Sequence, residues 1–316
     1  MAQLYWVLDG PGAVRPQPLD KNQVQDLLAS GYADLICPDG GAWQSAEALG
    51  ISPAAPTAEE SPTPDPSVTP AFFICDTETG GLNPVVNPLL SVACIVSPAT
   101  GEELDGFALL VRPPEGTLLE VPVPSDMWPS FRYKKREVAY YQDVHTQERF
   151  AACGDRPVIT AIAAETNGYV GGEDTGAWDL TAAARWNECG LSAGKVDEVL
   201  VRFLLQFFDS KPIAVAHNAQ FDYKFVSRYL PSLKQNLRDE WFCTYKALRS
   251  LRKKRGLNVG KGMCTLDAMC KYAGYTNPDA HEALADARAC SQGLQWLIGE
   301  AKEAGLSLRS LFGLDP

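Results

Sequence analysis

Between Ile51 and Pro70 the chain reads ISPAAPTAEESPTPDPSVTP, and this stretch decides how the rest can fold. Proline lacks a backbone N–H and has a fixed φ. Six of them among Ala, Ser, Thr and acids therefore exclude a helix interior or a central strand. The segment reads as an extended linker, and it predicts few contacts between the units on either side. It divides the 316 residues into a small unit at 1–50, the linker at 51–70 and a larger domain at 71–316.

The first unit holds a strand at Leu4 to Leu8 and a Gly/Pro-rich turn. A short helix follows from about Lys21 to Ser30, with Val24, Leu27 and Leu28 on one face. Gly31 ends it, and Trp43 precedes another helical turn. Tyr5-Trp6 near the start, Leu-Leu-x-x-Gly in the helix and the late Trp43 resemble GYF-like domains. The Gly-Pro element of such domains is displaced here, as Pro11-Gly12 and Pro16. The resemblance implies a module that binds a Pro-rich protein partner through residues 1–50. The alternative is that both tryptophans fill a tiny core.

After the linker the pattern is α/β. Strands are expected at Ala71 to Asp76, Leu89 to Ser97 and Phe107 to Arg112, separated by Gly80-Gly81, Asn83-Pro84 and Pro98. Such short connections imply an antiparallel meander. From Val196 to Phe208 the apolar positions 196, 199, 200, 203, 204 and 207 follow helical spacing. Ile213 to Ala216 is a short buried strand, and an amphipathic helix runs from about Ala280 to Ala301. The expected architecture is a mixed β-sheet flanked by helices.

Three segments carry chemistry. In Phe72-Phe73-Ile74-Cys75-Asp76-Thr77-Glu78-Thr79-Gly80-Gly81-Leu82, Asp76 and Glu78 are two apart on a strand and point the same way. Two carboxylates that close repel unless a cation sits between them. In Ala216-His217-Asn218-Ala219-Gln220-Phe221-Asp222, the acid falls in the first turn of a helix. There it also complements the helix dipole. His217, directly after a strand, reads as a hydrogen-bonded structural residue. In His281-Glu282-Ala283-Leu284-Ala285-Asp286-Ala287-Arg288, the His and the second Asp are five apart, about 140° around a helix axis. They share a site only if His281 lies at or before the helix start.

Together, DxE, then HNAxFD, then HxALxDAxA resemble the three motifs of the DnaQ-like DEDDh exonucleases over roughly residues 71 to 300. The resemblance implies an RNase H-like fold and release of nucleoside monophosphates from a 3′ end by two divalent cations, Mg²⁺ or Mn²⁺. Asp76, Glu78 and Asp286 would hold one cation, Asp76 and Asp222 would reach the second, and His281 would accept the proton of the attacking water. By the same resemblance, Thr79 and Leu82 would contact the terminal nucleotide, the leucine against its base. Thr77 and Asn218 are further substrate-binding candidates. The implied partner is the 3′ end of single-stranded DNA or RNA. The alternatives to a single-strand or frayed-end DNA exonuclease are an exoribonuclease and a silent nucleic-acid-binding or adaptor protein.

A net charge of −11 does not exclude that partner. Residues 1–50 and 51–70 contribute −4 and −3, and 71–316 holds 30 acids against 26 bases. Two bound cations would neutralise that last excess of four acids. The distance from Asp76 to Asp222 is long, because two strands, a helix and their connections need only about 50 to 80 residues. The excess reads as an insertion at about 113–195, including Met127-Trp128 and Arg132-Tyr133-Lys134-Lys135-Arg136, where aromatics alternate with bases. A second basic run, Arg249 to Arg255, is a candidate phosphate-contacting loop. Nine scattered cysteines without a CxxC pair read as reduced thiols. No apolar run reaches the roughly 18 residues of a membrane span. The start lacks a basic region followed by an apolar one, so a cytoplasmic location is expected.

Overall fold

The computed structural model describes residues 5–9, 13–14, 33–38, 49, 51, 70–99, 103–122, 138–167, 169, 181–277 and 280–306. Strands β1 (Tyr5–Asp9), β2 (Ala13–Val14) and β3 (Ala33–Pro38) form an antiparallel sheet in the order β2-β1-β3. The helix expected at 21–30, Trp43 and almost all of the linker lie outside the described residues.

The main sheet begins with β4 (Pro70–Thr79), β5 (Leu89–Pro98) and β6 (Asp105–Leu110), an antiparallel meander as expected. Continuous Leu-Leu-Ser-Val-Ala-Cys-Ile-Val in β5 has no polar face, and the strand is buried along its whole length. Both of its faces must then be covered by other layers. Cys75 and Cys94 are buried free thiols directly opposite each other across β4 and β5. β2 lies beside β6, so the small sheet meets the edge of the large one instead of standing apart from it.

The chain then leaves the sheet for the insertion. This contains β7 (Leu118–Pro122), β8 (Val138–Asp143), β9 (Arg149–Phe150), β10 (Val158–Ile159), α1 (Ala161–Thr166) and α2 (Thr181–Cys189). Its four strands form a second sheet in the order β10-β7-β8-β9. Leu119, Val144, Ile159, Ala164, Tyr169, Ala183 and Trp186 bury a core of their own around Leu90 of β5. The Trp186 indole donates to the Leu90 carbonyl at 2.9 Å, fastening the insertion to the main sheet. Residues 123–137, with both sequence features singled out in the insertion, lie outside the described residues.

At Leu191 the chain re-enters the main domain. α3 (Ala193–Phe207) follows, capped by the Ser192 hydroxyl, then β11 (Ile213–Ala216), α4 (Gln220–Tyr229), α5 (Pro231–Asn236) and β12 (Phe242–Cys243). Last come α6 (Thr244–Lys254), α7 (Leu266–Ala273) and α8 (Ala283–Glu303). β11 and β12 join parallel to β4, giving a mixed sheet in the order β12-β11-β4-β5-β6. Strand alternation divides the core in two. Phe73, Cys75, Val92 and Cys94 pack against α3, α4 and α5, whereas Phe72, Ile74, Ala93 and Ile95 face α6, α7 and α8. Among the described residues no helix is long and apolar enough to cross a membrane.

Candidate active site

The alternation that splits the core also sorts the acids. Asp76 and Glu78 continue the face of Phe72 and Ile74, toward α8, whose first turn carries Asp286. One carboxylate oxygen from each of Asp76, Glu78 and Asp286 lies within 4.8 Å of the others. Asp222 comes from the opposite layer, in the first turn of α4, and is only 2% exposed. Thr77, between the two strand acids, faces that layer and donates to Asp222 Oδ1 through its backbone N–H (3.1 Å) and its hydroxyl (2.9 Å). All four acids therefore meet at one end of β4, from both sides of the sheet.

Burial and mutual repulsion raise these carboxyls. Asp76 lies well above the usual carboxylate range, first through burial, then through Asp222, Glu78 and Asp286. Burial, with Asp286 and Asp222, pushes Glu78 up to about 8. Burial pushes Asp222 up to about 7 although its hydrogen bonds from Thr77 pull it down. Asp286 is also raised by burial, against the Asn277 amide at 2.6 Å and the His281 backbone N–H at 3.3 Å. Two unit charges about 4 Å apart repel by about 4 kcal/mol at an effective dielectric of about 20. Four ionised acids in this space need cations, and carboxylate oxygens are the donors hard divalent cations prefer. The donor set fits such ions.

His281 precedes α8, as the spacing to Asp286 requires, and has a left-handed φ of 75°. It is exposed, and its backbone N–H reaches Asp286 Oδ2. Leu82 is 84% exposed, in the same loop as the exposed Val85 and Val86. Thr79 is buried, and its hydroxyl closes the turn on Gly81 O at 2.7 Å. Asn218 is exposed, with φ 68°, and its carbonyl accepts from Phe221 N–H. His217 bonds Thr244 Oγ1 at 2.9 Å, and burial lowers its pKa to about 4. It is the neutral structural histidine its position implied.

Sequence reasoning missed Asn277 and the insertion's part in the site. Thr160 N–H donates to Gly80 O and Val158 N–H to Val86 O, both at 2.7 Å. Asn87 Nδ2 donates to Val158 O at 2.7 Å, and Asn167 Nδ2 to Thr79 O at 3.0 Å. The loop that carries Leu82 thus rests on the insertion. No local sequence signal marks these pairings. A separate cavity of about 690 Å³, between the insertion and the start of α3, contains none of the four acids.

Residues 191–292 match the RNase T family model, described as an exonuclease. The match begins where the chain returns from the insertion and covers Asp222, His281 and Asp286. No curated protein sequence matches the chain. Among solved structures, the zinc-bound form of an E. coli ExoI–ssDNA complex is 14% identical, with a TM-score of 0.45, covering 74% of this chain and 41% of that one. Exonuclease I from Methylocaldum szegediense is 17% identical, with a TM-score of 0.46, covering 77% and 42%. E. coli Exonuclease I in complex with a dT13 oligonucleotide is 14% identical, with a TM-score of 0.44, covering 74% and 42%. The chain spans less than half the length of these nucleases.

Proposed function

We propose that the chain is a metal-dependent 3′→5′ exonuclease that removes nucleotides from single-stranded or frayed 3′ ends. The observation that carries this reading is the meeting of Asp76, Glu78 and Asp286 within 4.8 Å, with Asp222 held beside them on Thr77. Asp76, Glu78 and Asp286 would hold one divalent cation, and Asp76 with Asp222 a second. Such a pair supplies an activated water and charge stabilisation at the leaving 3′ oxygen.

The remaining work falls to the chain itself. Asn277 and the His281 backbone N–H fix the Asp286 carboxylate by its two oxygens, and Thr77 fixes Asp222. The His281 imidazole, exposed beside Asp286, takes the proton from the attacking water. Leu82, held out on a loop that the insertion supports, packs against the terminal base. This places a flexible strand end in the site and leaves a duplex interior outside it.

The test is incubation with Mg²⁺ and single strands of DNA and of RNA, each labelled at its 3′ or its 5′ end. The expected result is immediate release of labelled mononucleotide from 3′-labelled strands and a shortening ladder from 5′-labelled ones. Faster decay of RNA would make the chain an exoribonuclease. Internal cleavage, or no cleavage with intact metal binding, would end the exonuclease reading.

A further inference from the structure

From Trp241 to Leu266 the chain contains no acid and seven bases, in a protein of net charge −11. This concentration is built around α6 and the loop that follows it. Three of the bases have partners: Arg252 Nε donates to Asn258 O at 2.8 Å and its guanidinium lies over the Tyr272 ring, Arg255 pairs with Glu300, and Lys261 is also engaged. Lys246, Arg249 and Lys253 differ. They are three and four positions apart, which sets them within about 60° on one helix face. That face is opposite Thr244, Ala247, Leu248 and Leu251, which are buried. All three are exposed, and none is in an ion pair among the described residues. Like charges at this spacing repel one another, so the stripe weakens the helix unless an anion lies along it.

Its position relates it to the acids. β12 runs parallel to β11, with Ala216 opposite Cys243, so α6 starts at the same sheet end from which α4 presents Asp222. Thr244, its first residue, hydrogen-bonds His217. The loop after α6 packs back onto the sheet, with Cys264 buried in the same core as Phe242, Ala247 and Leu251. From Lys246 to Lys253 the helix rises about 10 Å at 1.5 Å per residue. This spans about three phosphates at a stacked spacing of about 3.4 Å per nucleotide.

We propose that Lys246, Arg249 and Lys253 form a track that carries the phosphates of a single nucleic-acid strand away from the carboxylate site. The inference deepens the exonuclease reading and rests on it. The track explains how an acidic chain holds a polyanion: its bases are gathered on one helix that starts beside the acids.

The experiment compares the full chain with Lys246→Ala/Arg249→Ala/Lys253→Ala, and with Lys195→Ala/Lys211→Ala/Lys302→Ala, which removes equal charge elsewhere. Binding of fluorescein-labelled 20-mers of oligothymidylate and oligouridylate is measured by anisotropy, with Ca²⁺ in place of Mg²⁺, across a salt series. Each single-strand phosphate contact contributes about 0.7 to the slope of log K against log salt. The track variant should lose about 2 from that slope, and the control variant should keep it. A loss below about 0.7, or an equal loss in the control, overturns the track. Hydrolysis of the 4-nitrophenyl ester of thymidine 5′-monophosphate by the unsubstituted chain is read separately. Its absence counts against the exonuclease reading, while the binding slopes still decide the track.

Discussion

Thr77 gives Asp222 Oδ1 both a backbone N–H and a hydroxyl, across 145 positions of sequence and between two layers of the fold. The backbone bond survives any substitution that keeps the strand, whereas the hydroxyl bond does not. Thr77→Val should therefore keep the fold at a cost of about 1 kcal/mol and release the Asp222 carboxylate to turn. Loss of a group that orients a metal ligand typically costs about 10–100-fold in activity or metal affinity. Single-turnover hydrolysis should fall by that factor in Thr77→Val and stay close to normal in Thr77→Ser. Equal rates in the two variants would show that the hydroxyl does not position Asp222.

Metal-free protein should lose stability as pH rises. Glu78 at about 8 and Asp222 at about 7 both lie above their ordinary values of 4.5 and 3.8. A group raised in the folded state stabilises it below the unfolded pKa, and that contribution disappears as pH climbs through the folded pKa. The window is thus about pH 4 to 8. A divalent cation binds the ionised form, so its benefit grows over the same range. At a hundredfold excess over its Kd the gain is about 2.7 kcal/mol. Melting curves in EDTA and in Mg²⁺ at pH 5 and pH 8 should diverge only at the higher pH. An Mg²⁺ increment that is the same at both, or that persists in Asp76→Ala, would remove the acids from the metal site.

Much of this site was legible because it is local. Two-residue spacing put Asp76 and Glu78 on one strand face, and the 140° offset placed His281 before the helix that carries Asp286. What the sequence hid is what crosses the fold. Thr77 points away from its neighbouring acids, and nothing near it names Asp222 as its partner. Asn277 belongs to no periodic pattern. The insertion read as surplus length, yet Val158 and Thr160 support the loop of residues 79–88 through backbone groups, which leave no residue-type signature, and Asn167 does so through its side-chain amide. The boundary of the final helix shifted from about Ala280 to Ala283, because His281 adopts a left-handed conformation that a helix cannot contain.

That conformation shapes the test of His281. Alanine tolerates φ of 75° poorly, whereas asparagine adopts it readily. His281→Asn should keep the backbone N–H on Asp286 and the Mg²⁺ melting increment. A positioned general base contributes about 10²–10⁴-fold, so turnover at saturating Mg²⁺ should fall by at least about 100-fold. A variant with normal turnover would assign the proton to another group.

The seam where the insertion returns offers a test of packing that is independent of chemistry. Gly190 follows α2, and its N–H donates to Trp186 O at 3.1 Å. On either side of it, Leu191 N–H bonds Leu110 O at 3.0 Å and Arg112 N–H bonds Leu191 O at 2.8 Å. A Cβ at Gly190 would lie 2.3 Å from Trp186 O and 2.8 Å from Arg112 N. Both are backbone atoms, so no side chain can swing aside, and relief requires parting the seam. Overpacking of this kind costs about 1–3 kcal/mol, or several degrees of melting temperature in a chain of this size. Gly194, in the first turn of α3, has nothing within 4 Å of an added Cβ. Gly194→Ala should be neutral or slightly stabilising, because alanine is the better helix former. If Gly190→Ala melts with the unsubstituted chain, the insertion is not clamped at this point. Its hold on the loop of residues 79–88 would then rest on the Val158, Thr160, Asn87 and Asn167 hydrogen bonds.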